Sequence, residues 1–149
     1  NMTSTFWGTK SFNQPLNNWN VSNVLYMGEM FRETISFNQP LNNWNVSNVT
    51  NMYGMFDSSK IFNEPLNNWD VSSVTNMNKM FYNASKFNYP LDNWNVSNVQ
   101  EMNFMFNEAL YFNQDISNWC VLKITSTPQR FSLNSPLSSG NKPKWGTCP

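Results

Sequence analysis

The chain carries few side chains able to do covalent or acid–base chemistry. It has no histidine and two cysteines, Cys120 and Cys148. Lack of imidazole removes the commonest general base near neutral pH and the commonest transition-metal ligand. Two thiols are too few for a four-ligand zinc site. They fit a disulfide, which persists in an oxidising compartment. The carboxylates Asp57, Glu64, Asp70, Asp92, Glu101, Glu108 and Asp115 fall at mostly different phases of the repeat described below. Glycoside hydrolysis needs two facing carboxylates at a set distance, and the spacing selects no such pair. Calcium needs several oxygens on one loop, and Glu108 with Asp115 is a poor approach to that. What remains is aromatic: 16% of residues, against 12% charged. Such side chains act by stacking and burial. The expectation is a protein that is not an enzyme and uses no cofactor or metal.

Charge narrows the partners. Nine basic residues balance nine acidic ones. No basic stripe is available to neutralise phosphates, which argues against nucleic acid. No apolar run reaches the roughly 20 residues of a membrane span.

The elements that must position these side chains follow from a repeat. Trp19, Trp44, Trp69, Trp94 and Trp119 stand 25 residues apart. The same step links Phe12 through Phe112, Leu16 through Leu91 to Ile116, Met27 through Met102, Met30 through Met105, and Phe6 through Phe131. The unit reads F-N-x-P-L-N-N-W-N-V-S-N-V-x-x-M-x-x-M-F plus five variable residues. Stacked repeats of this kind bury in common what one unit cannot bury alone.

Within a unit, Val24, Met27, Met30 and Phe31 have helical spacing, with Ser22, Ser47, Ser72 and Ser97 placed as N-caps. Pro15–Trp19 reads as a short strand pairing with its counterparts. The predicted fold is an α/β repeat solenoid of leucine-rich-repeat type, with one short strand and one short helix per coil. The strand side should be narrow, about 4.8 Å per coil, and the helical side wider.

The repeats are expected over residues 1–116, the first unit being incomplete, with further repeats N-terminal of it. Residues 117–149 read as a capping unit. There Cys120 replaces Asn or Asp, Thr127 and Arg130 replace the two Met, Pro128 forbids a helix, and Phe131 keeps its place. Trp145 would cover the last apolar layer, and a Cys120–Cys148 bridge would pin the tail.

The unit F-N-x-P-L-N-N-W-N-V-S-N-V-T-N-M-x-x-M-F resembles the BspA-like bacterial surface-protein repeat, and the likeness covers residues 1–131. The ending P-x-W-G-T-C-P resembles the terminator of such arrays in exported bacterial proteins. The resemblance implies a leucine-rich-repeat-like solenoid, an extracellular or cell-surface location, and adhesion or partner binding without catalytic residues.

Most conspicuous residues then have structural duties. The Asn13 and Asn18 series should stack and bond to turn backbone, and the Trp series should be core. Positions that vary between units are the ones free to bind. Tyr82, Tyr89, Phe104 and Tyr111 concentrate aromatics there, and exposed aromatics anchor interfaces. They are the candidate ligand-binding residues. The expected partner is a protein or glycan ligand at a cell surface. A carbohydrate- or ice-binding regular face and a passive stalk are the alternatives.

Overall fold

The computed structural model describes residues 1–149. Its single regular element is a 3-10 helix, Ser139–Asn141. This corrects the expected α/β solenoid: no unit contains a helix or a strand. The units lie side by side through turns and isolated parallel bridges, Tyr26 to Asn51, Asn51 to Asn76 and Asn76 to Glu101.

The segment expected to be helical shows why. A helix sends each N–H to the carbonyl four residues back. Here alternate N–H groups leave the unit. Met27, Glu29, Phe31 and Glu33 donate to the carbonyls of Asn51, Tyr53, Met55 and Asp57 at 2.7–3.0 Å. The intervening N–H groups of Met30, Arg32 and Thr34 close turns onto Met27, Glu29 and Phe31 at 3.1–3.3 Å. Glu29 and Glu33 sit in the left-handed region (φ 56° and 57°), which a right-handed helix excludes. Spacing provides the reason. Equivalent Phe rings of the Phe6, Phe31, Phe56, Phe81 and Phe106 row stack 5.5–5.6 Å apart. Packed helices need about 8–10 Å between axes. Flat turns tolerate the closer approach and gain a backbone ladder from it.

That ladder also reverses the expected wedge. Equivalent rings are 5.8–6.1 Å apart in the Phe12 row. They are 6.3–6.4 Å apart in the Trp row. The Met–Phe side, drawn together by main-chain bonds, is narrow. The Pro–Trp side is wide because its segments meet through side chains. Trp44, Trp69, Trp94 and Trp119 are buried, and each indole N–H donates to the Leu carbonyl 28 residues earlier at 2.8–3.0 Å.

The asparagines hold the turns. Oδ1 of Asn13, Asn38, Asn63 and Asn88 accepts the backbone N–H of the Asn 25 residues later, at 2.7–3.1 Å. Asn17, Asn42 and Asn67 play the matching part for the N–H of Asn43, Asn68 and Asn93, so the second ladder runs through the Asn17 series. The serines read as N-caps have no helix to cap. Ser22, Ser47 and Ser97 instead donate O–H and N–H to the Asn two residues before them.

The regular step ends after Ile124. Phe81 N–H reaches Met105, but Phe106 N–H reaches Phe131, one residue too far along. Likewise Asn103 N–H meets Asn78 Oδ1 at a separation of 25, while Gln129 N–H meets Asn103 Oδ1 at 26. One extra residue therefore lies between Ile124 and Pro128. Phe131 does not keep its place: it occupies the site that Met105 fills in the previous unit. Its ring meets Phe106 edge-on at 85°, where the earlier Phe rings lie flat. Trp145 packs edge-on against it, centroids 4.9 Å apart. Cys120 and Cys148 form a disulfide. Val121 N–H donates to Thr147 and Gly146 N–H to Ile124, tying the tail alongside.

Candidate functional site

The bridging residues Tyr26, Asn51, Asn76 and Glu101 mark one face, the ladder face. Beside them run Gly28, Tyr53, Asn78 and Asn103, then Glu29, Gly54, Lys79 and Phe104. Rings and cations alternate across this face. The Lys79 ammonium lies 6.0 Å from the Tyr53 ring and 5.9 Å from the Phe104 ring. The Arg130 guanidinium lies 6.0 Å from Phe104 on its other side. Glu101 accepts from the side-chain amides of Asn76, at 2.9 Å, and Asn78. A shallow cavity of about 280 Å³ beside Tyr26 and Tyr53 opens at one end of the face. A cleft of about 380 Å³ between Glu101–Asn103 and Lys123–Gln129 opens at the other.

Of the four aromatics singled out from sequence, Phe104 stands on this face. Tyr111 is 54% exposed, with the Lys86 ammonium 4.4 Å from its ring. Tyr89 is exposed, and Tyr82 is half-buried with its carbonyl accepting Ser58 N–H at 2.7 Å. No two of these rings stack on one another. Tyr26 and Tyr53 were missed. Their signal was present, because both vary against Asn or Gly at the same phase of other units, but which variable phases share a face depends on the turns.

Several carboxylates have structural partners. Asp57, 5% exposed, faces Arg32, with Oδ2 3.5 Å from Nε. Arg32 also meets Glu29 at 2.5 Å and Glu33 at 3.3 Å, and its guanidinium lies 4.7 Å from the Trp7 ring. Burial pushes the Asp57 carboxyl up, against the opposing pull of the Ser58 hydroxyl, Arg32 and Lys79. Asp70 accepts the N–H of Ser72, as Asn20, Asn45 and Asn95 accept those of Ser22, Ser47 and Ser97, and Asp115, where earlier units have Pro, accepts the N–H of Ser117; both carboxyls are held below the usual carboxylate value by those serines.

The ladder face thus offers amides, the carboxylates of Glu29 and Glu101, cations and ring faces in fixed rows. These groups suit reversible recognition of polar ligands with apolar patches.

A family model described as "Mycoplasma protein of unknown function, DUF285" matches residues 1–74 and 60–147. No curated protein and no solved structure matches the chain. With both matches together spanning nearly all of its repeats and its tail, the chain belongs to the DUF285 family.

Proposed function

We propose that this chain is a non-enzymatic recognition module, secreted or displayed at a cell surface, that takes a protein or glycan ligand on its ladder face. The alternation of Tyr53, Lys79, Phe104 and Arg130 over rows of Asn and Glu carries the proposal. Amides and a carboxylate pair with neighbouring hydroxyls, and rings cover the C–H faces between them. That chemistry favours a glycan, free or on a protein. The likeness to BspA-like surface repeats, the exported-type ending and the Cys120–Cys148 bridge support a location outside the reducing cytosol.

The test is retention of the purified chain on an immobilised glycan panel and on a panel of extracellular proteins. Tyr53→Ala and Phe104→Ala should each weaken retention about tenfold, the worth of one lost stacking contact. Tyr111→Ala, on another corner, should not. Retention that ignores Tyr53 and Phe104 would sink the proposed face. A passive stalk would retain nothing and tolerate deletion of one 25-residue unit. An ice-binding face would reveal itself by thermal hysteresis.

A further inference from the structure

Three rows of main-chain hydrogen bonds run through the stack in one direction. Ser4, Glu29, Gly54, Lys79 and Phe104 each donate N–H to a carbonyl of the following unit, from Gly28 to Gln129. The Phe6 row does the same as far as Phe106, and the Gly8 row as far as Glu108, all at 2.7–3.0 Å. Each peptide unit in a row accepts on one side and donates on the other. The Tyr53 carbonyl takes the N–H of Glu29, and the N–H of the same peptide unit, that of Gly54, goes on to Asn78. Dipoles aligned in this way leave partial positive charge where the last N–H groups find no acceptor, as they do at the start of a helix. Beyond the last rungs the next donors are Arg130, Ser132 and Asn134, and none of their N–H groups makes a hydrogen bond within the protein. Arg130 and Asn134 keep the left-handed corners of their rows, with φ of 48° and 60°. A fourth row, Met2 to Met77, stops one unit earlier, because the extra residue after Ile124 leaves the Met102 N–H and the Gln100 carbonyl unpaired.

Side-chain charge is divided along the same axis. Residues 1–115 hold all nine carboxylates with five cations, net −4; residues 116–149 hold Lys123, Arg130, Lys142 and Lys144 and no carboxylate, net +4. A hollow of about 340 Å³ lies at the donor end, lined by Arg130, Ser132 and Asn134 of the open rows and by Lys142 and Trp145 of the tail. That volume is in the range of small-molecule sites. No carboxylate lines the hollow. Every ion pair of the protein is made by Arg32, so Arg130 and Lys142 have no acidic partner. Unpaired N–H donors beside two uncompensated cations suit an oxyanion, which makes charge-assisted hydrogen bonds to both kinds of group. Trp145, half-buried against Phe131, adds a ring on which the C–H face of a sugar can lie. Nucleic acid would call for a stripe of cations along many phosphates, whereas two cations at one hollow match a single anionic group.

We infer that this donor end binds an acidic saccharide through a sulfate or carboxylate group. Arg130 and Lys142 balance its charge, the free N–H groups donate to its oxygens, and Trp145 contacts the sugar. The site rests on the glycan reading above and adds a charged contact at the C-terminal end of the same face, where Arg130 already meets Phe104.

The test is amide chemical-shift mapping and affinity measurement on the intact chain with four probes: a sulfated heparin tetrasaccharide, its fully desulfated N-acetylated form, cellotetraose and inorganic sulfate. The sulfated sugar should give saturable shifts at Arg130, Ser132 and Trp145, and its affinity should fall as salt rises. Binding kept by the desulfated sugar names the carboxylate as the anchor, and binding lost names the sulfate. Arg130→Gln and Lys142→Gln should each weaken the acidic sugar about tenfold, as expected for one lost charged hydrogen bond, while Lys60→Gln, which removes the same charge elsewhere, should leave it unchanged. Ser132→Pro removes a donor from the row and should weaken binding without touching a cation. Equal affinity for cellotetraose, silence at the Ser132 amide, equal losses in all three cation variants, or a response to inorganic sulfate with no gain from the sugar overturns the inference. Glycan retention that depends on Tyr53 with a silent Ser132 amide removes the donor-end site alone. Ser132 shifts with retention indifferent to Tyr53 and Phe104 remove the ring-and-cation face alone.

Discussion

At the scale of single residues, Asn and Asp do the work that regular hydrogen bonding does in a helix. A side-chain oxygen that accepts an N–H two residues on makes a turn without backbone help. Asp70 stands where other units have Asn, and its charge makes the contact pH-sensitive. Hydrogen bonds from Ser72, through side chain and then backbone, hold its pKa below the usual 3.8. A depressed carboxylate contributes stability above its unfolded value and loses it as pH falls through the folded one. Asp57 runs the other way, because burial raises it: its contribution is present below the unfolded value and fades as pH rises through the folded one. Asp70→Asn keeps the turn and removes the titration. Stability at pH 7 should stay within about 0.5 kcal/mol, and the decline between pH 5 and pH 3 should become shallower. Urea denaturation at the three pH values checks this, and an unchanged acid slope would count against the Asp70 contribution.

At the scale of elements, each unit needs left-handed corners that its sequence seldom marks with glycine. Of the corner row Ser4, Glu29, Gly54, Lys79 and Phe104, one member is glycine, yet all have φ between 56° and 60°. Glu33, Ser58, Asn83 and Glu108 form a second such row, with φ between 51° and 60°. A non-glycine residue there is strained, and a β-branched one more so. Glu108→Val should therefore destabilise by about 1–2 kcal/mol, while Glu108→Gly should lie within about 1 kcal/mol of the parent. Thermal unfolding of the pair decides it: equal losses would mean the corner is not a constraint. This row also shows why the helix expectation failed. Val24, Met27, Met30 and Phe31 do share one buried side, as a helix would require. Consecutive turns with left-handed corners bring the same residues to the same side, and apolar spacing alone cannot separate the two.

At the scale of the whole molecule, the disulfide and a few main-chain bonds hold the C-terminal segment against the unit before it. Residues 141–147 run beside 116–124, and the Cys120–Cys148 bridge joins positions 28 apart. A loop of that length is worth roughly 3–4 kcal/mol in the chain-entropy model. The native protein should resist thiol labelling at both cysteines. Reduction should lower the unfolding midpoint and first release amide protection at Val121, Gly146 and Thr147. Ready labelling of both thiols in the untreated protein would contradict the bridge.

The period, the pairing of the two cysteines and the buried side chains, except Trp19, which is 43% exposed where its series was expected in the core, were legible in the 149 residues, because a repeat exposes its packing constraints as spacing. Phe, Trp, Met and Leu recur since each must meet its own copy in the next unit. The backbone conformation was not legible. It depends on how closely the units approach, and at 5.5–6.4 Å between equivalent rings alternate N–H groups bond outward to the next unit, with left-handed corners between them. The one-residue shift after Ile124 was equally hidden, because Phe131 falls on the sequence period while occupying a methionine's site. Tertiary structure decided that displacement, and with it which groups of Gln100, Met102 and Thr125–Thr127 were left without partners.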